Sequence, residues 1–168
     1  MTSPAPRPSA GSGMWLRLIL GMIYTGMAAG QLLSMDRMPR ILGAYGLVHG
    51  AAAGVLAIGL IAGEAVCGTW FLSRPRSTAI APVWVYTAVS LVWSALAAQA
   101  YARGLPVHLC GCFGVYLGQP LRWYVLVEDA LTLLYAAVLL RGARRAPAAA
   151  PPIPGRDPAD DNDKAEAR

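Results

Sequence analysis

Four long apolar segments constrain this chain more than any other feature. They run from Met14 to Met35, from about Leu47 to Leu72, from Ile80 to Tyr101 and from Leu121 to Leu140. The first carries only Arg17, the second only Glu64 and the third no charged residue at all; Arg122, Glu128 and Asp129 sit in the first half of the fourth. A helix needs about 20 apolar residues to cross a hydrocarbon core, so each segment is long enough. Lipid offers the backbone no hydrogen-bonding partner, so these segments must be helices rather than open strands. The joints between them are short. The reading is an all-α integral membrane protein, an antiparallel four-transmembrane-helix bundle over residues 14–140. Its first partner is therefore the lipid bilayer.

Composition supports this. The chain is 56% hydrophobic and 14% charged, where soluble domains usually carry about a quarter charged residues. The flanks differ from the centre. Residues 1–13, "TSPAPRPSAGSG" after the first Met, and residues 141–168, ending in "APAAAPPIPGRDPADDNDKAEAR", are rich in Pro, Ala and charge. Such stretches bury no core and are expected as disordered tails. A cleaved signal peptide is a poor account of the first segment. Its apolar run exceeds the usual h-region of about 7–15 residues, and "GMAAGQ" is a weak cleavage site.

The net charge of +5 reports on orientation, not on nucleic-acid binding. With a cytoplasmic N-terminus, Arg7, Arg17, Arg74, Arg76, Arg141, Arg144 and Arg145 lie inside, and Arg37, Arg40, Arg103 and Arg122 lie outside. Seven against four favours both termini in the cytoplasm of a bacterial-type inner membrane. The joint before the fourth segment, "GLPVHLCGCFGVYLG", then faces outward. Thiols on that side can cycle through disulfides.

That joint holds two of the three cysteines, Cys110 and Cys112, around Gly111. Two residues apart, their Cα atoms can reach the roughly 4.4–6.8 Å that a disulfide tolerates. Gly111 supplies the backbone freedom for so tight a closure. A small ring is expected to be strained and therefore exchangeable. His108, two residues upstream, can favour the Cys110 thiolate when protonated. A metal site is incomplete, since only His108 adds to the two thiols. Two inert cysteines in an apolar loop are the alternative. Cys67, in the second segment, reads as a small core residue.

Glu64 is the other chemically loaded residue. A carboxylate inside an apolar helix is costly and functional by default. A proton carrier is one reading; the other is an interhelical hydrogen bond to Gln31, Tyr24, Thr87 or Gln99. Under the favoured orientation Glu64 falls in the cytoplasmic half, at a distance from the external thiols. Glu128 and Asp129 are expected to pair with Arg122 or Arg103, or to handle ions. Gln119 and Pro120 read as the cap and first turn of the last helix. Trp93 joins Trp84 and Trp123 as an interfacial anchor or a quinone-stacking residue. Glycines four apart, such as Gly26 and Gly30, predict close contact between helices.

The run "ARGLPVHLCGCFGVYLG" followed by "RWYVLVEDALTLLYAAVLL" resembles the methylamine utilisation protein MauE family, DoxX-like membrane proteins. "AYGLVHGAAAGVLAIGLIAGEAVCGTWFL" is similar to that family's second segment, with Glu64 and Gly68 in place. The resemblance spans roughly residues 14–140 and is most specific at "CGCFG", residues 110–114. It implies a four-helix membrane protein that helps to mature the disulfide-rich β subunit of methylamine dehydrogenase, working with a thioredoxin-like extracytoplasmic protein. It places Cys110 and Cys112 as the reactive pair, supported by His108, Gly111, Phe113, Gly114 and Glu64. The architecture is also similar to quinone-linked disulfide generators, including the vitamin K epoxide reductase type, which makes a quinone the candidate acceptor. Two function classes follow. One is a membrane thiol–disulfide component. The other is a non-catalytic scaffold or transporter-like assembly factor, whose loop only docks a partner.

Overall fold

A computed structural model describes residues 10–77 and 79–145. It holds five helices: α1 (Ala10–Leu33), α2 (Met38–Gly43), α3 (Gly50–Ser73), α4 (Ala81–Ala102) and α5 (Trp123–Arg145). No strand occurs among the described residues. All but α2 are long and apolar enough to cross a membrane. α1 takes in residues 10–13 and α5 takes in 141–145, stretches that the sequence assigns to tails. The remaining tail residues lie outside the described ones.

Hydropathy alone does not foresee α2. Pro39 sits in its first turn, where a missing N–H costs nothing, and Met38, Ile41 and Leu42 bury its inner face. It packs along α3. α5 begins at Trp123, so Gln119 and Pro120 precede it as loop rather than forming its first turn.

α1 packs on α3, α3 on α4 and α4 on α5. The α1–α3 seam is set by glycine. A Cβ at Gly68 would stand 2.7 Å from the Thr25 nitrogen and 3.1 Å from the Tyr24 carbonyl carbon, so only glycine lets these backbones meet. Along the same seam, Gln31 reaches Glu64. Tyr24, Phe71 and Tyr86 form an aromatic centre, with Tyr86 4.9 Å from Tyr24 and 5.9 Å from Phe71 between ring centroids. Polar links pin it: the Tyr24 and Ser90 hydroxyls lie 2.7 Å apart, and the Tyr86 hydroxyl donates to the Thr132 carbonyl at 2.8 Å. Arg17, buried in α1, donates to the Ser77 carbonyl and lies 5.7 Å from the Phe71 ring. It thereby ties α1 to the α3–α4 turn.

Outward faces carry Trp15, Met22, Leu33, Val55, Ile58, Leu91, Leu134 and Val138, all well exposed. Helices that are apolar on every side belong in a nonpolar surrounding.

Candidate functional site

The segment joining α4 to α5 does not stay at the helix ends. Its base is closed by two backbone hydrogen bonds of 2.9 Å, from Cys110 N–H to the Gln119 carbonyl and from Leu121 N–H to the Val107 carbonyl. The loop between them turns inward. Gly111 and Gly114 take positive φ, at 83° and 62°, and a Gly114 N–H to Gly111 carbonyl bond of 2.9 Å closes the turn. A side chain at either would be strained. A Cβ on Gly111 would lie 3.7 Å from Trp93 Cη2, so the loop meets the ring of a residue well inside α4.

Glycine makes its seat. A Cβ on Gly30 would lie 2.7 Å from the Phe113 oxygen, and one on Gly114 would collide with the Ser34 hydroxyl and the Gly30 carbonyl. Gly30 therefore serves the loop rather than a neighbouring helix. Gly26 faces the Phe113 ring at 3.7 Å. Side chains then hold the loop carbonyls: the Tyr45 hydroxyl donates to the Cys110 carbonyl at 2.7 Å, and Gln31 Nε2 donates to the Cys112 carbonyl at 2.8 Å. Burial, and then the neighbouring Cys110 and Cys112, raise the Tyr45 pKa, so its hydroxyl stays a donor.

The two thiols lie 2.8 Å apart, Cys110 buried and Cys112 half-buried. A disulfide needs about 2.05 Å, so a small approach closes the bond. The pair is electronically unequal. The hydrogen bond from Cys112 lowers the Cys110 pKa against the opposing effect of burial. The same bond, followed by burial and the charge on Cys110, raises that of Cys112 well above the ordinary thiol range. Cys110 is therefore the more acidic thiol of the two. His108 is exposed, and among the described residues no hydrogen bond joins it to either sulfur.

Glu64 is not remote from the thiols. It is fully buried; Oε2 accepts from Gln31 Nε2 at 2.8 Å and Oε1 from Trp93 Nε1 at 2.7 Å. Gln31 Nε2 thus bridges the carboxylate and the Cys112 carbonyl. The expected separation fails because it assumes a loop at the helix ends, and this loop descends to the carboxylate. Of the partners considered for Glu64, Gln31 is the one used, and Trp93 is its second donor rather than an interfacial anchor. Trp84 and Trp123 are exposed near helix ends. Cys67 is buried and gives its S–H to the Glu64 carbonyl at 3.5 Å, as a core residue.

Among the described residues neither acid of α5 pairs with arginine. Glu128 accepts from Gln119 Nε2 at 3.0 Å, and Asp129 Oδ2 is buried with no hydrogen-bond partner among the described residues. Arg103 instead contacts the Gly46 carbonyl and Gln99.

The family model described as methylamine utilisation protein MauE matches residues 10–142. The chain belongs to the MauE family. Its four apolar helices and this membership together mark a multi-pass membrane protein associated with methylamine utilisation. No curated protein and no solved structure is significantly similar to it. The match covers α1 to α5 almost entirely, so the Cys110–Cys112 loop and the Glu64 network both lie within the family region.

The network gives a stability test. Glu64→Leu leaves Trp93 Nε1 buried without an acceptor, at a cost of about 1–3 kcal/mol. Glu64→Gln satisfies one donor but meets the other N–H with its own, unless Gln31 turns its amide and releases Cys112. Thermal unfolding in detergent should rank wild type above Gln and Gln above Leu. A Leu variant as stable as wild type would remove the network from the account. If Glu64→Gln keeps full thiol–disulfide activity, Glu64 is packing glue and carries no proton.

Proposed function

We propose that the chain is a MauE-type membrane thiol–disulfide component, assisting disulfide formation in exported proteins through Cys110 and Cys112. In the family setting the client is the β subunit of methylamine dehydrogenase, reached through a thioredoxin-like extracytoplasmic partner. The four long helices span a bacterial-type inner membrane as an antiparallel bundle, with both termini cytoplasmic and the Cys-Gly-Cys loop entering from the outside. The observation that carries this reading is the pair itself: two thiols 2.8 Å apart and unequally acidic, close enough to close into a disulfide. Inert cysteines need no such polarisation. A docking loop needs no thiols at all.

The test is mass spectrometry of the purified protein across graded redox buffers. The pair should lose two hydrogens reversibly, and Cys67 should stay reduced throughout. Should both thiols stay reduced in oxidising buffer, the non-catalytic scaffold is the better account. Orientation is tested separately in intact cells with a small, charged methanethiosulfonate, which should modify Cys112 and spare Cys67. Modification of Cys67 alone would reverse the topology.

A further inference from the structure

A cavity of about 460 Å³ lies beside the thiols, and both Cys110 and Cys112 are in its wall. Its other walls include Tyr24 and Met27 of α1, Trp93 of α4, Phe113 of the loop and Asp129 of α5. This volume falls in the usual range of small-molecule sites, which are mostly apolar with a few convergent polar groups. The cavity lies between α1 and α5, which both contribute to its walls. Ile23, a lining residue on α1, is 41% exposed on the outward apolar face. The approach is therefore lateral, through apolar surface. Asp129 Oδ2, buried and without a hydrogen-bond partner among the described residues, is a polar group on this wall.

We propose that this cavity binds the ring of a membrane-soluble quinone, which accepts the electrons of the Cys110–Cys112 pair. The inference rests on the thiol–disulfide reading and names its acceptor. In the reaction both S–H bonds break and one S–S bond forms. Two electrons and two protons pass to the quinone, and its two ring carbonyls become hydroxyls. Dithiol and quinone give disulfide and hydroquinone, with no other reactant. The walls fit that chemistry. Aromatic side chains receive a flat ring, and the Asp129 carboxyl meets a ring oxygen whose charge changes during reduction. A charged, water-soluble acceptor would lose its hydration among these walls without replacement.

The experiment uses the full chain in nanodiscs, reduced, with decylubiquinone or menadione as the added oxidant and glutathione disulfide as a separate one. Thiol state is read by alkylation and mass, and hydroquinone by absorbance. Expected is one hydroquinone per pair oxidised. Ile23→Trp, on the outward face and tolerable for folding, and Met27→Trp, inside the cavity, should both slow quinone-driven oxidation. The loss should be about tenfold to a hundredfold, since displacing a reacting group by an ångström costs on the order of 10²-fold. Asp129→Asn should slow it as well. If glutathione disulfide oxidises the pair and neither quinone does, the acceptor site is wrong while the thiol reading stands. If neither oxidant acts, the thiol reading itself falls. Wild-type quinone rates in both Trp variants would place the quinone elsewhere and overturn the assignment.

Discussion

Replacing either loop cysteine by serine should abolish oxidation of the pair, and the two variants should capture different amounts of a partner. The asymmetry follows from the geometry. Cys112 is the more exposed sulfur, and the Cys110 pKa is also held down by the Cys112 backbone N–H, a donor that remains when the Cys112 sulfur is in a disulfide. When an incoming thiolate attacks the Cys110–Cys112 disulfide, the better leaving group is the sulfur of lower pKa. Attack therefore falls on Cys112 and releases Cys110. Access and leaving-group ability point the same way. Cys110→Ser, keeping Cys112, should accumulate a mixed disulfide with glutathione or with a thioredoxin-like protein lacking its second cysteine. Cys112→Ser should accumulate little. The measurement is the adduct mass under non-reducing conditions. An adduct found chiefly on Cys110 would invert the assigned roles, and equal capture would make the pair symmetric. The pH dependence has a definite sign. Because the Cys110 pKa is lowered, thiolate-dependent exchange by the reduced pair should rise through a midpoint below that of an ordinary thiol, about 8.5. A midpoint at or above it would mean that the bond from Cys112 is not made.

The second large effect belongs to the seat of the loop. Gly114→Ala places a side chain at a φ of 62° and drives its Cβ into the Ser34 hydroxyl and the Gly30 carbonyl. The left-handed conformation costs roughly 1–2 kcal/mol and overpacking typically about 1–3 kcal/mol, so the total is about 2–5 kcal/mol. Whole domains are stable by only about 5–15 kcal/mol. Lifting the loop is easier than unfolding the helices, whose α1–α3 and α3–α4 packing does not involve it. The expected result is a folded, helical protein in which both loop thiols alkylate rapidly and the pair oxidises slowly. Gly30→Ala should behave alike from the opposite side, because its Cβ meets the Phe113 oxygen at 2.7 Å. Circular dichroism and alkylation kinetics separate the cases. Wild-type thiol kinetics in both variants would mean that this seat does not position the pair.

The sequence alone determined the parts that follow from local chemistry. Four runs of about 20 apolar residues leave helices as the available structure, and four such helices are present. Cys110, Gly111 and Cys112 are adjacent in the chain, so their proximity needed no tertiary information. Glu64 stood out because a charge in an apolar run is costly wherever the helix ends up. The family resemblance rested on these same features.

Tertiary structure decided what surrounds them. Gly30 and Phe113 are far apart in sequence, and hydropathy treats Gly30 as one more small residue on a helix. Only the folded chain shows that its missing Cβ admits the loop backbone. Once the loop descends, Glu64, Gln31 and Trp93 form one network beneath Cys112, although counting residues along α3 had separated the carboxylate from the thiols. The descended loop also forms one wall of the cavity, across from Asp129. The physical reason is one of range. Burial and helix formation are set by each segment's own residues, whereas a loop seated between helices depends on shape and hydrogen-bond complementarity among residues that meet only after folding.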